Sequence, residues 1–176
     1  MEVRPATIAD IDPCGRLDGT YSTGYIWHMD ESIRPDQMVV TFRRVRLPRA
    51  VEARDPRCSD DLFEVWQNSR CFLVADELGV ILGYLAMGVR RDDWQGWIDH
   101  LVVHRSHRQR GIATMLLEQA EDWARTSELR GVTAVVQSKN DPAICLLPRR
   151  GYAFRGYIDG YFDSGDLGLV YGLSLS

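Results

Sequence analysis

Leu101-Val102-Val103-His104-Arg105-Ser106-His107-Arg108-Gln109-Arg110-Gly111-Ile112-Ala113-Thr114 is the stretch whose reading decides the fold of this chain. An apolar run ends in a loop that carries three arginines, two histidines and no acid, and the loop opens into an amphipathic helix. Ile112, Met115, Leu116, Ala120 and Trp123 recur at helical spacing, with Glu118, Glu121, Asp122 and Arg125 on the other side. At the junction sits Arg108-x-x-Gly111-x-Ala113. A glycine followed by a small residue lets backbone approach an anion closely, and the free N–H groups of a helix's first turn point at it with the positive end of the dipole. The segment therefore reads as a phosphate cradle. The plainer alternative is a glycine-initiated helix whose small residues only ease packing.

Upstream, Cys71-Phe72-Leu73-Val74-Ala75 and Val80-Ile81-Leu82-Gly83-Tyr84-Leu85-Ala86 are apolar runs around the turn Asp76-Glu77-Leu78-Gly79, which predicts a β-hairpin. Trp97-Ile98-Asp99-His100-Leu101-Val102-Val103 follows as a third strand. Downstream, Thr133-Ala134-Val135-Val136 gives a strand after Gly131, so the helix bridges two parallel strands as a βαβ crossover. Asp141 and Pro142 open a short helix as cap and first helical residue, Pro148 and Gly151 close it, and residues 152–162 and 167–175 alternate as two last strands. Toward the N-terminus, residues 2–4 read as a strand and 10–17 as a helix. Residues 38–42 and 45–47 read as strand, with turns at Asp30, Pro35 and Asp36. Residues 48–59 read as a loop before a helix near 60–68.

The 176 residues, 45% hydrophobic and 26% charged, suit one soluble domain with a single core. The net charge of −4 argues against a nucleic-acid partner, which needs a basic footprint. Of the 21 basic residues only Lys139 is a lysine. Base composition explains most of the arginines, and a few suit a forked grip on an anion. Cys14, Cys58, Cys71 and Cys145 are far apart without a C-x-x-C, so neither a disulfide framework nor a metal site is expected. No signal peptide or membrane span is visible, and a cytoplasmic location is expected.

The run from Leu101 to Ala113 resembles the signature R/Q-x-x-G-x-G/A of the GNAT superfamily of acyl-CoA-dependent N-acyltransferases, notably in its serotonin N-acetyltransferase version. Asn140-x-x-Ala143 followed by Arg149-Arg150-Gly151-Tyr152 is similar to that family's later N-x-x-A … G-F segment. Trp123-Ala124-Arg125, Leu129-Arg130-Gly131 and Gln137-x-x-Asn140 resemble the streptothricin acetyltransferase branch. The likeness runs from about Phe72 to Phe162 and is loose over the first 70 residues. It implies an α+β (α/β) fold: a mixed central sheet with a βαβ acyl-CoA-binding core flanked by helices, two parallel strands splaying to admit the pantetheine arm. One domain is expected over 1–176, with an acceptor-side part to about residue 70, an acyl-CoA core over 71–162 and a final strand over 163–176. The resemblance further implies acetyl-CoA as co-substrate. Backbone groups of Leu101, Val102 and Val103 would pair with pantetheine, with the Val103 N–H stabilising an oxyanion. Amides of Arg108, Gln109, Arg110, Gly111, Ile112, Ala113 and Thr114 would hold the pyrophosphate, and Asn140 would lie beside the thiol.

Amine acylation needs a neutral nitrogen, and an alkylammonium is neutral in only about one molecule in 2,500 at pH 7. Asp99 is the candidate base, directly or through water, because strand alternation places it on the face of Trp97 and Leu101. Its alternative is a carboxylate that pairs with an arginine. His100 should point to the other face unless a bulge intervenes, and it reads as a core histidine. Where many family members place a tyrosine as general acid, this chain has Leu147; Cys145, Tyr152, Tyr157 and Tyr161 are the substitutes weighed. Residues 10–36 hold six acids against two arginines, and 156–176 hold three acids and no base. The resemblance places both segments beside the acceptor, which favours a small cationic amine and makes Trp27, Asp30, Tyr157, Asp159 and Tyr161 the candidate lining residues. Acetylation of a protein N-terminus or lysine, and a non-catalytic acyl-CoA sensor, are the competing readings. A homodimer is left open.

Overall fold

A computed structural model describes residues 1–175. The chain runs β1 (Glu2–Pro5), α1 (Ile8–Gly15), β2 (Thr20–Arg34), β3 (Gln37–Arg54), a 3-10 turn (Pro56–Ser59), α2 (Leu62–Asn68), β4 (Cys71–Glu77), β5 (Val80–Arg90), β6 (Gln95–Val103), a second 3-10 turn (Arg105–His107), α3 (Ile112–Thr126), β7 (Gly131–Gln137), α4 (Asp141–Arg149), β8 (Ala153–Ile158) and β9 (Gly168–Ser174). Seven strands form one sheet in the order β1-β4-β5-β6-β7-β9-β8. Among the described residues only β6 and β7 pair in parallel, because α3 carries the chain back across the sheet between them.

β4 and β5 are continuous apolar runs because they are covered on both faces. On one face Ile112, Leu116, Leu117, Ala120 and Ala124 of α3 meet Leu85, Met87, Ile98 and Val132, joined by Ile144 and Leu147 of α4. On the other, Ile11 and Cys14 of α1 and Leu62 of α2 pack on Phe72, Tyr84 and Val102. Asp10 is held in α1 by a capping box with Thr7 and by both guanidinium nitrogens of Arg4, which also grips Asp76. Those bonds hold the Asp10 carboxyl well below the usual carboxylate range. Among the described residues no helix is long and apolar enough to cross a membrane.

The N-terminal third departs from its reading. Residues 20–54 are a long two-stranded hairpin turning at Pro35 and Asp36, and Asp30 lies within its strand instead of in a turn. The predicted loop beginning at Pro48 is still strand: the register jumps from Thr23↔Val51 to Tyr25↔Arg46, so Pro48 sits in an irregularity where no ladder hydrogen bond is asked of it. The cap of α4 is Asn140, whose Oδ1 accepts from Ala143 N–H at 3.2 Å, and Pro148 lies inside the helix. Asp141, expected as that cap, is buried in the first turn and clamps the hairpin. It accepts from Arg44 Nε and Nη2 at 2.7 and 2.8 Å and from Trp27 Nε1 at 3.1 Å. Tyr21 Oη–H donates to Gln137 Oε1 at 2.8 Å and Trp27 N–H to Ser138 O at 2.8 Å, so the hairpin lies against the end of β7.

Asp141→Ala is therefore expected to lower unfolding free energy by about 1–2 kcal/mol and to quicken proteolytic cleavage within residues 20–54. The Arg44 pairing depresses the Asp141 pKa. Its stabilisation is thus present above the unfolded value of about 3.9 and lost as pH falls through the lower folded one. Denaturant melts of both proteins across that pH range measure the difference.

Candidate active site

β6 and β7 begin side by side and then part. Their ladder covers only Gln95↔Gly131 to Ile98↔Ala134, although β6 continues to Val103 and β7 to Gln137. Beyond Ile98 each strand keeps only its outer neighbour, β5 or β9. A cleft of about 840 Å³ opens between them, walled by the start of α3 and by α4. Antiparallel alternation decides which backbone groups face it. His104 N–H bonds Leu82 O at 2.7 Å, so His100 and Val102 address β5 while Leu101 and Val103 turn their N–H and C=O groups toward the gap. The Val103 carbonyl is taken by Arg108 Nε at 3.0 Å.

The loop from β6 to α3 is braced from inside. Arg108 Nη2 also donates to Asp18 O at 2.9 Å, and His104 caps the 3-10 turn through Ser106 N–H at 3.2 Å. Gln109 and Gly111 both have positive φ, 60° and 82°. Gly111 is the N-cap of α3 and has no side chain to satisfy the amides behind it; the first helical bond is Met115 N–H to Gly111 O at 3.0 Å. A Cβ built on Gly111 would meet nothing within 4 Å. The amides of Ile112, Ala113 and Thr114 thus open on the cleft without intrahelical acceptors, which is the donor set an anion takes.

Arg57 fills the opposite side of the gap. It pairs with Asp55 through two bonds of 3.0 and 2.6 Å, donates to Val135 O at 3.1 Å, and lies 5.2 Å from the centre of the Phe162 ring. The guanidinium supplies a donor to β7 where β6 has left it.

A β-bulge changes the reading of β6. Met87 faces Ile98 and Ala86 faces His100, so Asp99 is the extra residue. Since paired residues share a face, Ile98 and Leu101 lie on the α3 side while Trp97 and His100 lie on the other. The expected common face for Trp97, Asp99 and Leu101 does not exist, because alternation breaks at the bulge. Asp99 still lines the cleft, with Oδ2 accepting from Gly88 N–H at 3.1 Å. Surrounding protein desolvates the carboxyl and pushes it above its ordinary value, against the Gly88 bond and the charges of His100 and Arg57.

Leu101, Val102, Val103, Arg108, Gln109, Gly111, Ile112, Ala113, Thr114 and Asn140 all line the cleft, while Arg110 is exposed outside it. None of the five residues expected around the acceptor lines it. Trp27 is bound to Asp141, and Asp30 pairs with Arg43 at 2.7 Å. Tyr157 packs on Phe42, Tyr161 packs on Phe162, and Asp159 is exposed in a turn. Four of the nine acids in those two segments are held by arginine or lysine partners: Asp10 by Arg4, Asp12 by Arg16, Asp30 by Arg43 and Asp166 by Lys139. Leu147 is buried in the core, and of the substitutes weighed for the missing tyrosine only Cys145 reaches the cleft. Tyr21, Arg57 and Cys58 are cleft residues that sequence reasoning passed over, since nothing local ties residues 19–58 to strands some eighty positions away.

Residues 39–152 match the family described as Acetyltransferase (GNAT) family. A streptothricin acetyltransferase of Escherichia coli is 37% identical over 59 residues, 34% of this chain and 34% of its own. One from Streptomyces lavendulae is 27% identical over 158 residues, 88% of this chain and 82% of its own. The chain thus spans about a third of the first relative and most of the second. Among solved structures, a Bacillus anthracis protein described as a streptothricin acetyltransferase, in complex with acetyl coenzyme A, superposes with a TM-score of 0.80 at 16% identity, covering 99% of this chain and 98% of that one. With the matched span taking in the splayed strands and the glycine-capped helix, the chain belongs to the GNAT family of acetyltransferases.

Proposed function

We propose that this protein transfers the acetyl group of acetyl-CoA to a primary amine of a small cationic molecule, by direct attack without an acyl-enzyme. The observation that carries the reading is the parting of β6 and β7 after Ile98 and Ala134, continuous with the uncapped amides of α3. The exposed edge at Leu101 and Val103 suits an extended amide-bearing arm, and the Val103 N–H would donate to an oxyanion, a role worth about 3 kcal/mol in other acyl transferases. The α3 amides would take the pyrophosphate. Asn140 would reach the thiol only through its Nδ2, since its Oδ1 caps α4. Direct attack is favoured because the cleft's thiols are poor nucleophiles: desolvation pushes Cys58 up to about 11 and raises Cys145. Asp99 would hold the ammonium and begin its deprotonation. Streptothricin-like antibiotics are the acceptor class that the names of the two relatives support, and four free cysteines suit a reducing compartment such as the cytoplasm.

Purified protein should release free thiol from acetyl-CoA with a member of a panel of cationic amines, streptothricin included, and Asp99→Asn should slow that release by about 10²-fold. Acetyl-CoA binding without thiol release across the panel would show a sensor instead. Gly111→Glu, which sets a carboxylate at the mouth of the α3 amides, should abolish acetyl-CoA binding in calorimetry; unchanged affinity would remove the phosphate assignment.

A further inference from the structure

A second cleft, of about 400 Å³, lies against α2 and shares Arg57, Asp99 and His100 with the first. His100 stands in the wall between them. It is 4% exposed, its ring centre is 6.1 Å from that of Tyr84, and its Nε2 is 3.3 Å from Oδ2 of Asp60, whose side chain is 48% exposed. The bulge at Asp99 puts it there; unbroken alternation would have turned residue 100 the other way. With Nε2 facing a carboxylate, the neutral ring carries its hydrogen on that nitrogen and keeps a lone pair on Nδ1. A buried imidazole that lines the reaction cleft and also meets a half-exposed carboxylate is arranged to conduct a proton outward.

We propose that His100 receives the proton lost by the acceptor's ammonium and passes it through Asp60 to solvent in the second cleft. This rests on the acetyl-transfer reading above. The ammonium N–H breaks against the Asp99 carboxylate, its proton passes on to the neutral His100 ring, and the Nε2 proton goes to Asp60 and on to water. The amine nitrogen then bonds to the acetyl carbon, the carbon–sulfur bond breaks with its electron pair on sulfur, and the second nitrogen proton ends on the thiolate. One proton is released per turnover. His100 is kept neutral and able to accept, because burial and the Arg57 guanidinium lower its pKa while Asp60, Asp55 and Asp99 raise it less. Asp60 acts as a positioning residue.

The test compares the unmodified protein with His100→Gln and Asp60→Asn, using an alkylamine acceptor and an alkoxyamine that is already neutral at assay pH. His100→Gln should lose about 10²-fold in kcat/KM with the alkylamine and far less with the alkoxyamine, at unchanged acetyl-CoA affinity. Equal loss on both acceptors, or no loss on either, would overturn the relay. Should His100→Gln fail to fold, Asp60→Asn on the half-exposed partner still decides: it removes a charge that raises the imidazole, so the acid limb of kcat/KM moves to lower pH. An unmoved limb would overturn the proposal. No thiol release by the unmodified protein with any amine would instead overturn the transferase reading on which the relay depends.

Discussion

Four residue pairs hold β6 to β7, and the molecule is arranged around the place where the fifth is missing. Two strands that diverge leave backbone donors and acceptors with no ladder to join, and such groups are costly to bury unsatisfied. Each is answered differently here. Val103 O takes a bond from Arg108, Val135 O takes one from Arg57, and the Leu101 and Val103 amides open on the cleft. The cleft is thus a defect in the sheet, lined by the groups the defect exposes.

The walls of that defect come from distant parts of the chain. Residues 99–114 and 140–149 form one wall within a span of about fifty positions, and the opposing wall is drawn from residues 19–58. The second is fastened to the first by few polar contacts, chiefly Arg44 and Trp27 on Asp141, Tyr21 on Gln137 and Arg57 on Val135. Apolar burial contributes less there than beneath α3, since much of the hairpin is exposed on both faces.

What could be read from the sequence follows the range of the physics involved. β4, β5 and α3 declare themselves because burial on both faces, or on one helical stripe, writes a local pattern into consecutive residues. The glycine-capped start of α3 is equally local, so the uncapped first turn at Ile112, Ala113 and Thr114 was legible. The bulge at Asp99 was not, because a single inserted residue leaves the apolar pattern of β6 nearly intact while reversing Trp97 relative to Leu101. Nor were the ion pairs of the two end segments. Asp30 and Asp166 look like free charges until Arg43 and Lys139 are seen beside them, and Pro48 looks like a strand breaker until the ladder is seen to skip it.

The Arg57 bridge to Val135 spans 78 positions, the Arg44 bridge to Asp141 spans 97 and the Tyr21 bridge to Gln137 spans 116. Closing loops of that size demands more entropy than the short connections of β4 through β7. The hairpin is thus tied to the sheet through contacts of long sequence separation, unlike the neighbouring strands β4 to β6. Chain variation in residues 20–54 can then remodel one rim of the cleft, at Tyr21 and Ser22, while the sheet defect and its amides stay as they are, so that two walls of one cavity can change independently within a single fold.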